Sequence, residues 1–128
     1  MAGAKIINKI VITIPTSLPD ESIAFYVGLL DFEVREQYER TDGVKFVFLS
    51  HRAGAHLELV SGGYITGGSI GPGAPVMTFM VDSVAEMSQR LINAGKPVPA
   101  ARILPSGLAM LRFNDPNGVT ISLVSPPG

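Results

Sequence analysis

The same order of predicted elements occurs twice along the chain, and this repeat constrains the fold more than any other feature. In the first half, the β-rich stretch Lys9–Pro15 precedes an amphipathic stretch and three further β-rich stretches. In the second half, Val76–Val81 opens the same succession. The sequence therefore predicts an α+β fold built from two tandem βαβββ modules, at about residues 5–60 and about residues 76–125.

Turn-forming residues set the limits of the other strands. The predicted strands are Phe32–Tyr38, Val44–Ser50 and Ala55–Val60 in the first module, and Lys96–Ile103, Leu108–Asn114 and Gly118–Val124 in the second. Between the modules, residues 61–75 contain six glycines and two prolines and are predicted to form a connection. Neither module, at about 60 residues, can bury both faces of its own sheet. We therefore expect the modules to form one curved mixed sheet, with helices outside and a concave face that binds a small molecule.

Two capping boxes predict where the helices begin. Ser17 with Asp20 is the first box, and Ser83 with Glu86 is the second. Gly95 is predicted to end the second helix. The apolar stripes expected to face the core are Ile23, Tyr26, Val27 and Leu30 in the first helix, and Val84, Met87 and Leu91 in the second.

Charge and composition exclude several classes of partner and site. The net charge of -1 gives no electrostatic reason to expect nucleic acid or an anionic membrane as a partner. With no cysteine, the chain has no disulfide framework and no thiolate metal site. No apolar run approaches the roughly 18 residues that span a bilayer, and residues 1–9 lack the apolar region of a secretory signal. A cytoplasmic location is the expectation.

Four stretches together resemble the vicinal oxygen chelate superfamily, which includes glyoxalases, bleomycin-resistance proteins and extradiol dioxygenases. They are Ser22–Val34, His56–Val60, Val81–Gly95 and Phe113–Val124. The resemblance covers nearly the whole chain and implies the paired-module fold. It does not select a function, because the superfamily includes lyases, isomerases, epimerases, dioxygenases and drug-binding proteins.

The resemblance also implies where a metal would be held. Metal-dependent members have ligands, usually His and Glu, at positions that fall here on Lys9, Glu58, Val76 and Ser122. Only Glu58 matches, and a divalent transition metal requires three or four N, O or S donors. We therefore expect no metal or other cofactor at the family site. A divalent metal at a site rebuilt around His56 and Glu58 remains an alternative.

His56 and Glu58 lie two residues apart on a predicted strand, so their side chains share a face. If that face lines the pocket, they are candidate catalytic residues, with His56 acting as a general base or hydrogen-bond donor. A partly exposed His56 at the start of a strand is the alternative. For Glu58, an ion pair with Lys9 in place of the metal is the preferred hypothesis, and two separately solvated side chains are the alternative.

Alternation along the strands predicts the rest of the ligand-binding set. The predicted pocket residues are Lys9, Val11, Thr13, Val76, Thr78, Met80, Met110, Arg112, Thr120, Ser122 and Val124. The opposite set, expected to pack under the helices, is Ile10, Ile12, Ile14, Met77, Phe79, Val81, Ile121 and Leu123. Arg112 is a candidate to bind an anionic or carbonyl-bearing ligand bidentately, or else to form a surface salt bridge. Tyr38 and Tyr64 are candidates to close over the pocket from loops.

Three functions are consistent with these patterns. The first is a metal-independent protein that binds an apolar or aromatic antibiotic or metabolite, which the low charge, Met80, Met110 and the missing ligands favour. The second is a metal-free isomerase, cyclase or lyase that uses His56, Glu58, Lys9 and Arg112. The third is a metal-dependent lyase or dioxygenase with relocated ligands. The resemblance also implies a homodimer.

Overall fold

The computed structural model describes residues 9–63 and 76–126. The chain divides into two compact units within the segment between the fourth and fifth strands. The first unit contains β1 (Ile12–Pro15), α1 (Pro19–Leu30), β2 (Glu33–Glu39), β3 (Lys45–Ser50) and β4 (His56–Ser61). The second unit contains β5 (Val76–Met80), α2 (Val84–Asn93), β6 (Arg102–Ile103), β7 (Ala109–Asn114) and β8 (Thr120–Ser125). The predicted α+β fold of two tandem βαβββ modules is confirmed.

Each unit forms one four-stranded mixed sheet. The strand orders are β1-β4-β3-β2 and β5-β8-β7-β6. In both units the first strand pairs in parallel with the last, and the other pairs are antiparallel. The last strand of each unit, β4 or β8, is therefore a central strand with a neighbour on both sides.

The helices cover one face of each sheet. α1 packs against β4, and the buried Leu57 and Leu59 alternate along that strand with half-buried polar residues. α2 packs against β7 and β8 and covers Ile121 and Leu123, which are completely buried. The predicted core positions Ile14, Ile121 and Leu123 are thus confirmed. Neither helix of the described chain has the length and apolar character needed to cross a bilayer.

The first strand begins later than the sequence predicted. β1 starts at Ile12 and pairs with β4 only from Ile12 to Pro15. Ile10 is 72% exposed and Ile12 is 46% exposed, so the prediction that both pack under a helix was wrong. Apolar β-branched residues favour a strand, but a strand also requires a partner along its length.

The start of α1 also differs from the prediction. Leu18, not Ser17, is the N-cap, and no side chain caps it. Pro19 explains the difference, because proline fits the first helical turn and disfavours helical geometry in the residue before it. The buried Thr16 and Ser22 bind the Leu18 backbone instead. The Thr16 hydroxyl oxygen accepts from the Leu18 N–H at 2.8 Å, and the Ser22 hydroxyl donates to the Leu18 carbonyl at 2.7 Å.

The buried stripe of α1 is rotated by about one position from the predicted one. Its buried residues are Ser22, Phe25, Tyr26, Leu29 and Leu30. Ile23 and Val27 are only half-buried. The helix is apolar around most of its circumference, so periodicity alone could not select the face.

The second helix follows the prediction more closely. The Ser83 hydroxyl accepts a hydrogen bond from the Glu86 backbone N–H at 3.1 Å, so Ser83 is the N-cap. Gly95 has a φ of +74°, which suits a glycine just beyond the helix end. Val84 and Leu91 are buried, and Met87 is half-buried. Along residues 96–103 only Arg102–Ile103 form a strand, because Pro97 and Pro99 lack the N–H groups that a sheet requires.

The turn between β7 and β8 is held by a buried carboxylate. Asp115 Oδ1 accepts from the backbone N–H groups of Asn117 and Val119, both at 2.8 Å. Gly118 has a φ of +86°, which glycine adopts without strain. This turn sets the register in which the two strands pair.

We expect Asp115→Ala to lower the free energy of unfolding by about 1–3 kcal/mol, because the buried N–H group of Val119 and the part-buried N–H group of Asn117 lose their acceptor. Urea denaturation of the purified variant measures the change. The matched control is Asp82→Ala at an exposed position, which should change it by less than about 0.5 kcal/mol. Equal losses in both variants would contradict this role for Asp115.

Candidate functional site

The predicted pocket residues lie mostly on one face of each sheet, the face turned away from the helix of the same unit. We call this the distal face. In the first sheet it carries Thr13, Glu36, Tyr38, Phe46, Phe48 and Glu58, with His56 beside them. In the second sheet it carries Thr78, Met80, Arg102, Met110, Arg112 and Ser122. Strand register alone brings each set together, because directly paired residues point to the same side.

One contact assigns the faces of the second sheet directly. The Ser125 hydroxyl accepts from the Val84 N–H at the start of α2, at 3.0 Å. Ser125 therefore points toward the helix, as do Leu123 and Ile121, which share its side of the strand. Ser122, on the other side, belongs to the distal face.

Glu58 is bound by a threonine, not by the predicted lysine. The Thr13 hydroxyl donates to Glu58 Oε1 at 3.1 Å, and the two residues are direct partners between β1 and β4. Lys9 and Val11 lie before β1 begins and are exposed. The ion pairs within residues 9–63 and 76–126 do not include Lys9 with Glu58, so that predicted pair was wrong.

The two histidines have different surroundings. His56 is half-buried at the start of β4 and shares the distal face with Glu58, as the two-residue spacing predicted. His51 belongs to the turn after β3. There its Nδ1 accepts from the Ala53 N–H at 3.0 Å, and its ring lies 5.2 Å from that of Phe32.

The side chains at the four family positions do not fit a divalent metal. Glu58 offers a carboxylate and Ser122 a weakly ligating hydroxyl, whereas Val76 has no donor atom and Lys9 carries a positive charge. In the described part of the chain, no three His, Asp or Glu side chains come together as a ligand group. The remaining residues, 1–8, 64–75 and 127–128, contain no His, Cys, Asp or Glu. A site rebuilt around His56 and Glu58 would therefore need a third donor of another type.

An aromatic cluster occupies the distal face of the first sheet beside Glu58. The rings of Tyr38 and Phe46 stack nearly parallel, 4.7 Å apart and at 15°. Those of Tyr38 and Phe48 are 6.2 Å apart at 21°. Tyr38 lies within β2, as the predicted strand Phe32–Tyr38 had it, so the suggestion that it closes over the pocket from a loop was wrong. Tyr64 lies outside the described residues. We call Tyr38, Phe46 and Phe48 the aromatic platform.

Sequence reasoning missed Phe46 and Phe48, although a signal was present. The two residues alternate with Val47 and Leu49, so one pair must point away from the core. The hairpin register then places both phenylalanines beside Tyr38. A β-bulge between Val34 and Glu36 shifts that register, and the sequence does not reveal the bulge.

Arg40 covers one edge of the aromatic platform. Its Cζ lies 5.4 Å from the centre of the Phe46 ring, within the range of a cation–π interaction. Asp42 holds the guanidinium in place by two hydrogen bonds, at 2.7 Å and 3.2 Å. A shallow, open cavity of about 260 Å³ lies at this end of the hairpin. Residues of both sheet faces line it, because Gln37, Glu39, Lys45 and Val47 alternate with Tyr38 and Phe46.

The Arg40 guanidinium also acts on the acidity of Asp42. Its hydrogen bond to the carboxylate lowers the pKa of Asp42, and the backbone N–H of Val44, which donates to the same carboxylate, lowers it further. The ionised form of Asp42 is therefore the one that orders this end of the hairpin.

The distal face of the second sheet has a different chemistry. Thr78, Ser122 and Arg112 lie side by side across β5, β8 and β7. In the next row, Met80, Val124 and Met110 lie together, and Arg102 is paired with Met110. Arg112 forms no salt bridge with an acidic residue of the described chain. The surface salt bridge considered for it is thus not found there.

Comparisons with known proteins agree with this architecture. The family model for the Glyoxalase/Bleomycin resistance protein/Dioxygenase superfamily matches residues 6–123. A search of the curated proteins found no match.

Solved structures with the same fold cover nearly the whole chain. SMU.1112c is 24% identical with a TM-score of 0.76, over 96% of this chain and all of that one. A glyoxalase family protein from Enterococcus faecalis is 23% identical with a TM-score of 0.76, and the match covers 94% of this chain and 98% of that chain. TnmS3, an antibiotic binding protein from Streptomyces sp. CB03234, is 23% identical with a TM-score of 0.71, and the match covers 98% of this chain and 100% of that chain. At these identities the likeness establishes the fold alone.

We expect the Asp42 carboxyl to titrate below its ordinary pKa in the native chain, and Arg40→Gln to move its pKa back up. Because the folded-state pKa is lowered, the stabilisation by ionised Asp42 is present above the unfolded-state pKa and is lost as the pH falls through the folded value. Carbon-13 NMR of the Asp42 carboxyl, followed against pH, measures this. Arg35→Gln, an exposed arginine within β2, is the control. An unchanged midpoint in Arg40→Gln would refute the assignment.

Proposed function

We propose that this chain, which belongs to the glyoxalase/bleomycin resistance protein/dioxygenase superfamily, binds a planar, largely apolar small molecule through its side chains, without a metal. The observation that carries the proposal is the aromatic platform. Three aromatic side chains lie on one sheet face, with rings close to parallel and with Tyr38 48% exposed.

Parallel aromatic rings on a sheet surface suit a flat ligand. Such a ligand can stack on the exposed Tyr38 ring and removes apolar surface from water. The sheet fixes the rings before binding, so little side-chain freedom is lost when the ligand arrives. The Tyr38 hydroxyl and the Arg40 guanidinium add polar groups at the edge, where they can orient a ligand that carries oxygen or nitrogen atoms.

The missing metal donors support binding over metal-assisted chemistry. A metal-dependent member would polarise its substrate at the family site, which here offers one carboxylate and one hydroxyl. One of the structural neighbours is an antibiotic binding protein, so a protein with this fold can bind a small molecule. This supports the proposed small-molecule binding. We also propose that the chain forms a homodimer and that Thr13, on the distal face of the first sheet beside Glu58, contacts the ligand.

A metal-free enzyme is the second candidate. It is favoured by the position of His56 and Glu58 on the same face, next to the aromatic platform, where an acid–base pair would reach a bound ligand. The enzyme would be selected if the native chain converts a bound compound, and if Glu58→Gln still binds that compound but no longer converts it. Unchanged ligand recovered from the complex would select the binding protein.

We expect Tyr38→Ala to weaken binding of a neutral planar dye by about tenfold, the factor that corresponds to about 1.4 kcal/mol. Nile red is the probe, since its fluorescence rises when it enters apolar surroundings. Tyr38→Phe keeps the ring and should bind nearly as well as the native chain. Ile103→Ala, at an exposed position on β6, is the control. Native affinity in Tyr38→Ala would exclude the aromatic platform as the binding surface.

For the metal, we expect less than about 0.1 equivalent to remain with the purified chain after exposure to Zn, Fe, Mn and Ni, because the family site supplies too few donors. Elemental analysis of the native chain and of Glu58→Gln measures this. Stoichiometric metal in the native chain that is lost in Glu58→Gln would establish a metalloprotein instead. Nile red binding should be unchanged by a chelator.

A further inference from the structure

The four strands of the second sheet contain no acidic residue. Their only charged residues are Arg102 on β6 and Arg112 on β7. Both lie on the distal face and both are exposed, in adjacent rows of the sheet. Neither forms an ion pair with an acidic residue of the described chain. Two guanidinium groups on neighbouring rows repel each other, and a bound anion would offset that repulsion.

A second, independent observation comes from Ser122. This residue is only 2% exposed, and within the described chain its hydroxyl has no hydrogen-bond partner. Buried hydroxyls in folded proteins nearly always have one. Among the described residues, every side-chain N or O atom without accessible surface has a hydrogen-bond partner. The Ser122 oxygen has none, so it must keep some accessible surface. A polar group bound at the distal face would supply the partner that this hydroxyl lacks.

The register places donors around this hydroxyl. Thr78 is the direct partner of Ser122 on one side, and Arg112 is its direct partner on the other. The antiparallel partners Ser122 and Arg112 have Cβ atoms about 4.5–5.5 Å apart. Neighbouring strands lie about 4.8 Å apart, so the Thr78 side chain can also reach a group bound at Ser122. A guanidinium and two hydroxyls are donors that match a carboxylate or phosphate, and arginine binds both bidentately.

We propose that Arg112, Ser122 and Thr78 form an oxyanion-binding site on the distal face of the second sheet, with Arg102 as a second cation. The site takes a carboxylate or a phosphate monoester. It goes beyond the function proposed above, because its residues belong to the second unit and it does not depend on the aromatic platform.

Three probes of similar size test the site. They are benzoate, phenyl phosphate and the neutral benzamide, each titrated into the nitrogen-15-labelled chain. NMR follows the backbone amides of Thr78, Ser122 and Arg112 and the Arg112 side-chain Nε–H. We expect saturable shifts at these groups with at least one anion and none with benzamide. Whether the carboxylate or the phosphate binds more tightly identifies the preferred oxyanion.

Variants separate a built site from general charge attraction. Arg112→Gln should weaken anion binding by at least about tenfold, since it removes the charge-assisted bonds. Ser122→Glu should abolish it, because the new carboxylate would pair with Arg112 directly across the strands. Arg52→Gln, which removes one positive charge from an exposed turn of the first unit, is the matched control and should bind as the native chain does.

Several results would overturn the proposal. They are equal shifts with benzamide, equal weakening by Arg52→Gln and Arg112→Gln, or no shifts at Ser122 and Arg112 with either anion. Arg112 is exposed, so its variant should fold even if Ser122→Glu does not. Nile red binding, measured on the same samples and dependent on Tyr38, reports on the aromatic platform separately. Failure of the oxyanion site is thus distinguishable from failure of the proposed function.

Discussion

The alternation of side chains along the two central strands determines most of what this chain can do. β4 and β8 each lie between a parallel and an antiparallel neighbour, so both of their edges are fixed by hydrogen bonds. Leu57 and Leu59, or Ile121 and Leu123, then lie under the helix of the unit. The residues between them must point to the distal face. A slip of one residue would exchange the two sets and place the Glu58 carboxylate in the core.

This constraint explains why sequence reasoning found the distal faces better than the ends of the elements. Strict alternation identified Thr13, Glu58, Thr78 and Ser122 as residues of one face in each unit, and the register agrees. In contrast, the start of β1 depends on where β4 offers a partner. The start of α1 depends on Pro19, whose effect outweighs the serine two residues before it. Residues 96–103 were predicted to form a strand, but two prolines limit pairing to the last two residues.

Side-chain contacts were harder to predict than faces. Lys9 was paired with Glu58 because both fall on metal-ligand positions implied by the family resemblance and carry opposite charges. Lys9 precedes β1, however, and Thr13 is the direct strand partner of the carboxylate. The aromatic platform depends on a hairpin register that a bulge shifts, so Phe46 and Phe48 could not be placed beside Tyr38 from spacing. In both cases the deciding information lies in the pairing of strands distant in sequence.

The two modules also show how one repeated framework can carry two chemistries. Glu58 and Ser122 are the third residues of β4 and β8, and each has a threonine as its parallel partner. Their antiparallel partners differ, with Phe48 in the first module and Arg112 in the second. A carboxylate opposite Arg112 would neutralise it, whereas a carboxylate opposite Phe48 leaves the ring free to stack. The serine at position 122 therefore does more than remove a metal ligand, because it leaves Arg112 without a counter-ion on its own sheet.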